Sequence, residues 1–167
     1  MAKVMNGRFT ADVEGNFVVF LIGMRINRPW KLRKWLPIFG AMPRMLRYLS
    51  EHPERGLLGF HSYALPSPMI VQYWRSFEDL DRFARDPADP HLDPWRRYVR
   101  EIGRSGDVGI WHETFRVPAG SYEAVYTNMP VFGLARATAH VPVSSKGPSA
   151  AYRIGARDVD EIAVEAD

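Results

Sequence analysis

The sequence predicts an α+β fold in which helices cover one face of an antiparallel sheet. With 167 residues, of which 46% are hydrophobic and 13% aromatic, the chain suits one domain with a packed core. Its patterns follow the order strand, helix, strand, strand, helix, strand, which is the split βαβ order of ferredoxin-like domains. We therefore expect one ferredoxin-like domain with an N-terminal arm over residues 1–143, and a tail or arm over residues 144–167.

The first strand and the first helix have clear patterns. Residues 17–26 are a continuous run of apolar, β-branched and aromatic residues, typical of a central strand covered on both faces. Asn27 is suited to cap a helix that begins near Pro29, and apolar residues at spacings of three and four continue that helix. Because Pro37 and Pro43 each remove a backbone donor, we expect a kinked helix or two short ones.

The middle of the chain predicts a hairpin followed by two more helices. Residues 56–65 and 69–75 have strand character and are joined across Pro66-Ser-Pro68, a separation that suits an antiparallel hairpin. A capping box over Ser76-Phe-Glu-Asp79 begins the second helix. A third, short helix is predicted over residues 93–102.

The last strands are predicted toward the C-terminus. Residues 107–117 have strand character and residues 122–127 form a further candidate strand, whereas residues 129–143 have no firm assignment. Because the helices cover only one face of the sheet, the other face would expose apolar side chains. A second copy of the sheet is the simplest cover, so we expect a homodimer with a barrel-like centre, a dimeric α+β barrel.

Composition and charge exclude several classes of function. The absence of cysteine excludes disulfides and thiolate metal sites, and it suits a cytoplasmic location. The N-terminus has no apolar signal core, and no apolar run is long enough to span a membrane. Without phosphate-loop or dinucleotide motifs, ATP and NAD chemistry are disfavoured, and we expect no nucleic acid partner. Eight Lys or Arg residues lie from Arg25 to Arg55, and we interpret them as a solvated basic face.

His112 is the main candidate for chemistry. Period-two alternation places Val108 and Ile110 on its face of the strand and leaves Trp111 on the opposite face. Near neutral pH an imidazole in such surroundings can act as a general base or as an axial ligand to a haem iron. The alternative is a core histidine satisfied by one hydrogen bond. We expect His112 to point into the chamber between the two sheets of the dimer.

Other side chains are predicted to line the pocket or to orient a substrate. His61 and Trp74, on the two hairpin strands, are expected to line one cavity together with Trp111. His91 lies in a loop suited to an access lid, although a plain turn is the alternative. Two residues offer a hydroxyl and an amide that suit a carbonyl or phenol, or else form a strand-end hydrogen-bond pair: Tyr126 and Asn128.

Several sequence runs resemble a known family. They are Phe20-Leu-Ile-Gly-Met-Arg-Ile-Asn-Arg-Pro-Trp30, Trp35-Leu-Pro37, Ala41-Met-Pro-Arg-Met45, Val71-Gln-Tyr-Trp-Arg-Ser-Phe77, Gly106-Asp-Val-Gly-Ile-Trp-His-Glu-Thr114, Tyr126-Thr-Asn-Met-Pro130 and Phe132-Gly-Leu134. Through these runs, residues 15–143 resemble the monooxygenase family that includes the fumagillin-pathway monooxygenase. The resemblance implies a dimeric α+β barrel akin to the antibiotic-biosynthesis monooxygenases. It carries over no catalytic residues.

The resemblance implies two alternative functions, and a third is considered beside them. The first is an oxygen-using, monooxygenase-like enzyme of secondary metabolism or detoxification that acts on a small, largely apolar molecule, with no cofactor in some relatives. The second is a haem-dependent enzyme of the aldoxime-dehydratase type, in which His112 would hold haem b. The third is a small-molecule sensor or binding protein without catalysis. Fold is more firmly implied than reaction, because one fold serves many activities.

Overall fold

The computed structural model describes residues 2–64, 67–86, 100 and 104–155. The chain divides into two compact units. The central unit runs from Val18 to Phe115, and the terminal unit consists of the chain up to Phe17 and from Arg116 onward. Within the described ranges, no helix has the length and apolar character needed to cross a membrane.

The helices and antiparallel strands of the chain give the predicted α+β class. Those that build the central unit are β2 (Phe17–Ile26), α1 (Leu32–Glu51), β3 (Leu57–Tyr63), β4 (Met69–Trp74), α2 (Phe77–Arg85) and β5 (Val108–Val117), with a short 3-10 helix at Pro53–Arg55. Those of the terminal unit are β1 (Met5–Asp12), β6 (Tyr126–Met129), α3 (Gly133–Ala137), β7 (Ala139–Pro142) and α4 (Ala150–Arg153), with a 3-10 helix at Val143–Lys146.

The sheet of the central unit confirms the predicted split βαβ arrangement. Its strand order is β3-β4-β2-β5, so the first and third strands of this unit are neighbours. The β2–β4 and β3–β4 pairs are antiparallel, and Val18 and Leu57 both lie opposite Trp74. The N-cap half of the predicted capping box forms, because the Ser76 hydroxyl accepts a hydrogen bond of 3.1 Å from the backbone N–H of Asp79. The Asp79 carboxylate accepts from Arg75 and Arg82 instead.

Helix α1 differs from its prediction at its start, and it is one helix rather than two short ones. It begins at Leu32, with Lys31 at the N-cap, rather than near Pro29. The Asn27 side chain instead donates to the Gly106 carbonyl oxygen at 3.0 Å. The helix is continuous across Pro37 and Pro43, so neither proline ends it. Packing of its apolar face against the sheet offsets the lost backbone hydrogen bonds.

Two hydrophobic clusters hold the helices on one face of the central sheet. The first joins β2 and β4 to both helices and consists of Val18, Leu49, Trp74, Leu80 and Phe83. The second joins β2 and β5 to the start of α1, where Trp35 and Ile38 pack against Met24 and Val108. Since α1 contributes Ile38 to one cluster and Leu49 to the other, the two clusters lie at different points along the helix. We call this the helix-covered face, and the opposite one the open face.

The terminal unit contains structure that the sequence did not predict. Strand β1 pairs with β6 on one side and with β7 on the other, which forms a second antiparallel sheet. This sheet joins both ends of the chain, so the two units do not divide at the expected boundary after residue 143. Ion pairs from Lys146 to Asp12 and from Arg153 to Glu123 connect residues beyond that boundary to the unit.

Candidate functional site

The imidazole of His112 lies on the helix-covered face of the central sheet. Its ring centre is 5.7 Å from that of Phe20, and Phe20 packs against the cluster that contains Leu49 and Trp74. Val108, which shares the His112 side of β5, is likewise buried beside the start of α1. The expectation that His112 points toward a second sheet is therefore corrected. Alternation along β5 predicts which residues share a face with His112. The contacts with Phe20 and with the start of α1 show that this is the face that the helices cover.

The His112 ring is available for proton transfer or ligation. The side chain is exposed, on an edge strand of the sheet, and it makes no hydrogen bond to the residues that the structure describes. Its described ring contact is the tilted one with Phe20, at an interplanar angle of 40°. An unpartnered imidazole next to an apolar ring has both nitrogens free, one as acceptor and one as donor.

Apolar side chains near His112 are only half-buried, although helix α1 lies on their face. Phe20 and Ile22 on β2 have intermediate exposure, between the buried Val18 and Met24. On α1, Met42 and Met45 also have intermediate exposure. Both lie between Ile38 of one cluster and Leu49 of the other, at spacings of four and seven residues that keep them on the same side of the helix. We use the name α1 middle for these two α1 methionines together with the two β2 residues on the face that α1 covers: Phe20, Ile22, Met42 and Met45. Within this set, Phe20 lies beside the His112 imidazole, and the two methionines add flexible apolar side chains on α1.

Two predicted pocket residues of the hairpin lie on opposite faces of the sheet. Trp74 is completely buried in the core, where its indole N–H donates to the Gln72 side-chain oxygen at 2.9 Å. His61 lies opposite Val71, whose side chain points away from the face that carries Trp74 because the two residues are an odd number of positions apart on β4. The His61 side chain is therefore on the open face. The expectation that His61 and Trp74 line one cavity is corrected by this register.

Trp111 lies on the open face, over Gly23 of the neighbouring strand. A Cβ atom on Gly23 would lie only 2.6 Å from the indole ring, so the close approach requires glycine at that position. The side chain remains 38% exposed. Trp111 and His112 thus differ by one residue in sequence and by the whole thickness of the sheet in placement.

Tyr126 and Asn128 belong to the terminal unit and make local contacts to its backbone. The Tyr126 hydroxyl accepts a hydrogen bond of 3.4 Å from the N–H of Ala135, and burial raises the pKa of this phenol. Asn128 adopts a left-handed conformation with φ of 52°, and its side-chain oxygen accepts from the Gly7 N–H at 2.9 Å. The two side chains thus bond to separate backbone groups rather than to each other, and a role in orienting a substrate stays a prediction.

Asp107 is a site-positioning residue that sequence reasoning missed. Its carboxylate is 1% exposed and accepts from Arg28 at 2.7 Å and from Lys31 at 3.0 Å. These hydrogen bonds, that of Lys31 above all, hold its pKa below the usual value of 3.8. Its backbone oxygen accepts from the N–H groups of Asn27 and Arg28. Asp107 therefore fixes the start of the strand that carries His112. The available signal was an acidic residue at the first position of a predicted strand, with two cations near Pro29.

Two other predictions concern metals and the loop histidine. In the described part of the chain, no group of three or more His, Asp or Glu side chains is arranged to hold a metal ion. His91 lies outside the described residues, as does nearly all of the third predicted helix. The His140 ring stacks on that of Phe9, with the ring centres 4.3 Å apart. Its buried Nε2 atom has no hydrogen-bond partner among the residues described.

Comparison with known proteins gives one family and a set of similar folds. The family model described as Monooxygenase af470-like matches residues 17–134. Monooxygenase af470 of Aspergillus fumigatus is 29% identical to this chain over 151 residues, an alignment that covers 77% of this chain and 53% of that protein. The chain thus spans about half the length of this curated relative.

Among solved structures, an aldoxime dehydratase superposes with a TM-score of 0.63 at 17% identity. The superposition covers 83% of this chain and 43% of that one, and it supports the α+β, ferredoxin-like fold. SnoaB, a cofactor-independent oxygenase from Streptomyces nogalater, superposes with a TM-score of 0.42 at 14% identity, over 60% of this chain and 91% of that one. At 17% identity, the similarity to the aldoxime dehydratase concerns the fold and leaves the reaction open.

Proposed function

Because this chain belongs to the Monooxygenase af470-like family, we propose that it is an oxygen-using, monooxygenase-like enzyme acting on a small, largely apolar organic molecule. The family match over residues 17–134 carries the proposal, since it includes α1 and the strand with His112. We place this activity in secondary metabolism or detoxification. The sensor alternative has no observation of its own in its favour, and it becomes an outcome of the tests below.

In the proposal, the substrate binds against the α1 middle with its reactive group at His112. Half-buried apolar side chains release water when a ligand covers them, which favours binding of an apolar molecule by about 25 cal/mol per Å². Phe20 connects the apolar surface to the proposed base, because it belongs to the α1 middle and its ring lies against the His112 ring. The imidazole therefore faces both apolar surface and access from solvent.

The proposed reaction begins with proton transfer from the substrate to a ring nitrogen of His112. A phenol or enol that loses this proton becomes an electron-rich anion, which can reduce dioxygen without a bound cofactor. For a phenol oxidised to a quinone, one oxygen atom enters the product and the other leaves as water, so one dioxygen is consumed per substrate. Exclusion of water by the apolar side chains strengthens the electrostatic interaction of His112 with the anion.

The test is oxygen consumption by the wild-type protein and by His112→Ala, with a panel of electron-rich phenols and enols. We expect His112→Ala to lose about 10²-fold or more of the turnover while it keeps the fold. The matched control is His61→Ala, which removes an imidazole from the open face and should keep full turnover. Full turnover in His112→Ala would remove this residue from the mechanism, and ligand binding without oxygen consumption would favour the sensor.

Haem b held by His112 is the second candidate, and the free imidazole favours it. The residues fit such a group, because the ring makes no hydrogen bond in the described chain and its neighbour Phe20 is apolar. When bound, the haem would supply the redox chemistry, while the α1 middle would hold the macrocycle and exclude water. Addition of haemin should then give a Soret band that His112→Ala loses and His61→Ala retains. Absence of the band in every preparation would exclude haem.

A homodimer formed through the open face is the partner that we propose. That face carries Trp111 and Phe115, which are 38% and 48% exposed, beside the half-buried Leu21 and Tyr73. Phe115→Arg would place a charge in the proposed interface and should shift the mass measured by light scattering from dimer to monomer. Leu36→Arg, a similarly exposed apolar position on α1 and therefore on the other side of the sheet, is the control. A monomeric wild-type protein would contradict the proposal.

A further inference from the structure

The outward side of helix α1 exposes large apolar side chains. Leu32, Leu36 and Phe39 are 51%, 49% and 40% exposed, and Trp30 just before the helix is 72% exposed. Positions 32, 36 and 39 share one side of the helix because they follow spacings of four and three. The side that contains Leu49 packs on the sheet instead. We call this outward arc, with Trp30, the apolar arc.

Arginines lie directly beside the apolar arc. Arg33, Arg44 and Arg47 are exposed, and at 100° per residue they fall on the flank next to Leu36. Arg33 and Arg44 form no ion pair with the described residues, and Arg47 approaches Glu51 only at 3.8 Å in an exposed position. The helix has no acidic residue in its first turn. Uncompensated positive charge therefore borders exposed apolar surface.

We propose that this surface binds the headgroup region of a membrane that contains anionic lipids. An interfacial helix lies in the membrane plane, with Trp, Leu and Phe in the acyl boundary and Arg at the phosphates. The apolar arc and its arginine flank have that composition and arrangement. A solvated basic face, which is the interpretation that the sequence alone favours, does not account for the exposure of Trp30 and Leu36. The proposal does not depend on the reaction that the chain catalyses.

The first test is co-flotation of the full chain with vesicles of two compositions. We expect association with vesicles of phosphatidylcholine and phosphatidylserine, weak association with phosphatidylcholine alone, and loss of binding as salt screens the charges. Because Trp30 should enter the headgroup region, anionic vesicles should shift the indole emission to shorter wavelength. Trp30→Phe should lose most of that shift.

Paired variants distinguish membrane binding from attraction by net charge and from contact with another protein chain. Leu36→Gln/Phe39→Gln and Arg33→Gln/Arg44→Gln should each weaken partitioning into anionic vesicles by about tenfold or more. The control for apolarity is Leu58→Gln, which is 37% exposed on β3. The control for net charge is Arg8→Gln/Arg136→Gln, which removes two exposed arginines of the terminal unit.

Two results would overturn the proposal. One is equal partitioning of the α1 variants and their controls, which would mean that net charge alone drives association. The other is no vesicle binding by any form of the protein. A lower oligomeric mass of Leu36→Gln/Phe39→Gln would be a separate result. That result would assign the apolar arc to contact with another protein chain.

Discussion

The two faces of the central sheet differ in what covers them and in what they carry. The helix-covered face contains the fully buried Trp74 and, at its edge, the exposed imidazole of His112. The open face carries Trp111 against Gly23. The two described clusters that hold α1 and α2 lie on the other face. Because adjacent residues of a strand point to opposite faces, one strand supplies both the proposed chemistry and the proposed dimer contact. Neighbouring substitutions should therefore have unlike effects.

The largest expected effect comes from replacing the same residue type on the two faces. Trp74→Ala should lower the free energy of unfolding by about 3–5 kcal/mol, because it leaves a cavity in the core cluster. Trp111→Ala should cost less than half as much in the monomer, since the indole is already 38% exposed. Urea unfolding at low protein concentration measures both values. Equal losses would contradict the assignment of faces.

A smaller effect should follow from filling the space under Trp111. Gly23→Ala places a Cβ against the indole and should lower the free energy of unfolding by about 1–3 kcal/mol. Gly109→Ala, where the nearest atom would be 3.8 Å away, is the control and should be close to neutral. In the double variant with Trp111→Ala, the cost of Gly23→Ala should largely disappear. Additive losses would mean that the indole does not lie on Gly23.

The smallest effect concerns Asp107 and has a defined pH range. Its pKa is lowered in the folded protein, so its contribution to stability is present above the usual value of 3.8 and is lost as pH falls below it. Asp107→Asn should therefore destabilise the protein at neutral pH, with a difference from wild type that shrinks in acid. Thermal unfolding across pH 3–7 checks this, and a difference independent of pH would show that the charge is unimportant.

Much of the fold could be predicted because its strands are locally distinctive. The run at residues 17–26 has the composition of a buried strand, and the alternation in residues 107–117 correctly sorted His112 from Trp111. Strand β1 was missed because Met5–Asp12 is largely polar and becomes a strand through pairing with β6 and β7, more than a hundred residues away. Such nonlocal pairing leaves no periodic signal in the sequence.

The candidate site was predicted less well than the fold, for a related reason. Alternation along one strand gives relative faces, whereas the absolute face depends on register against other strands. His61 and Trp74 were therefore grouped although they lie on opposite sides. Helix α1 was recognised from its apolar stripe, but the exposure of Leu32 and Phe39 on its outward side required the packed structure.

The proposed small-molecule site lies on the helix-covered face beside His112. A crystal structure of the protein with an electron-rich phenol would locate this site. We expect the phenol to contact the His112 ring, Phe20 and the methionines of the α1 middle. A phenol bound instead on the open face, against Trp111 and Tyr73, would contradict it.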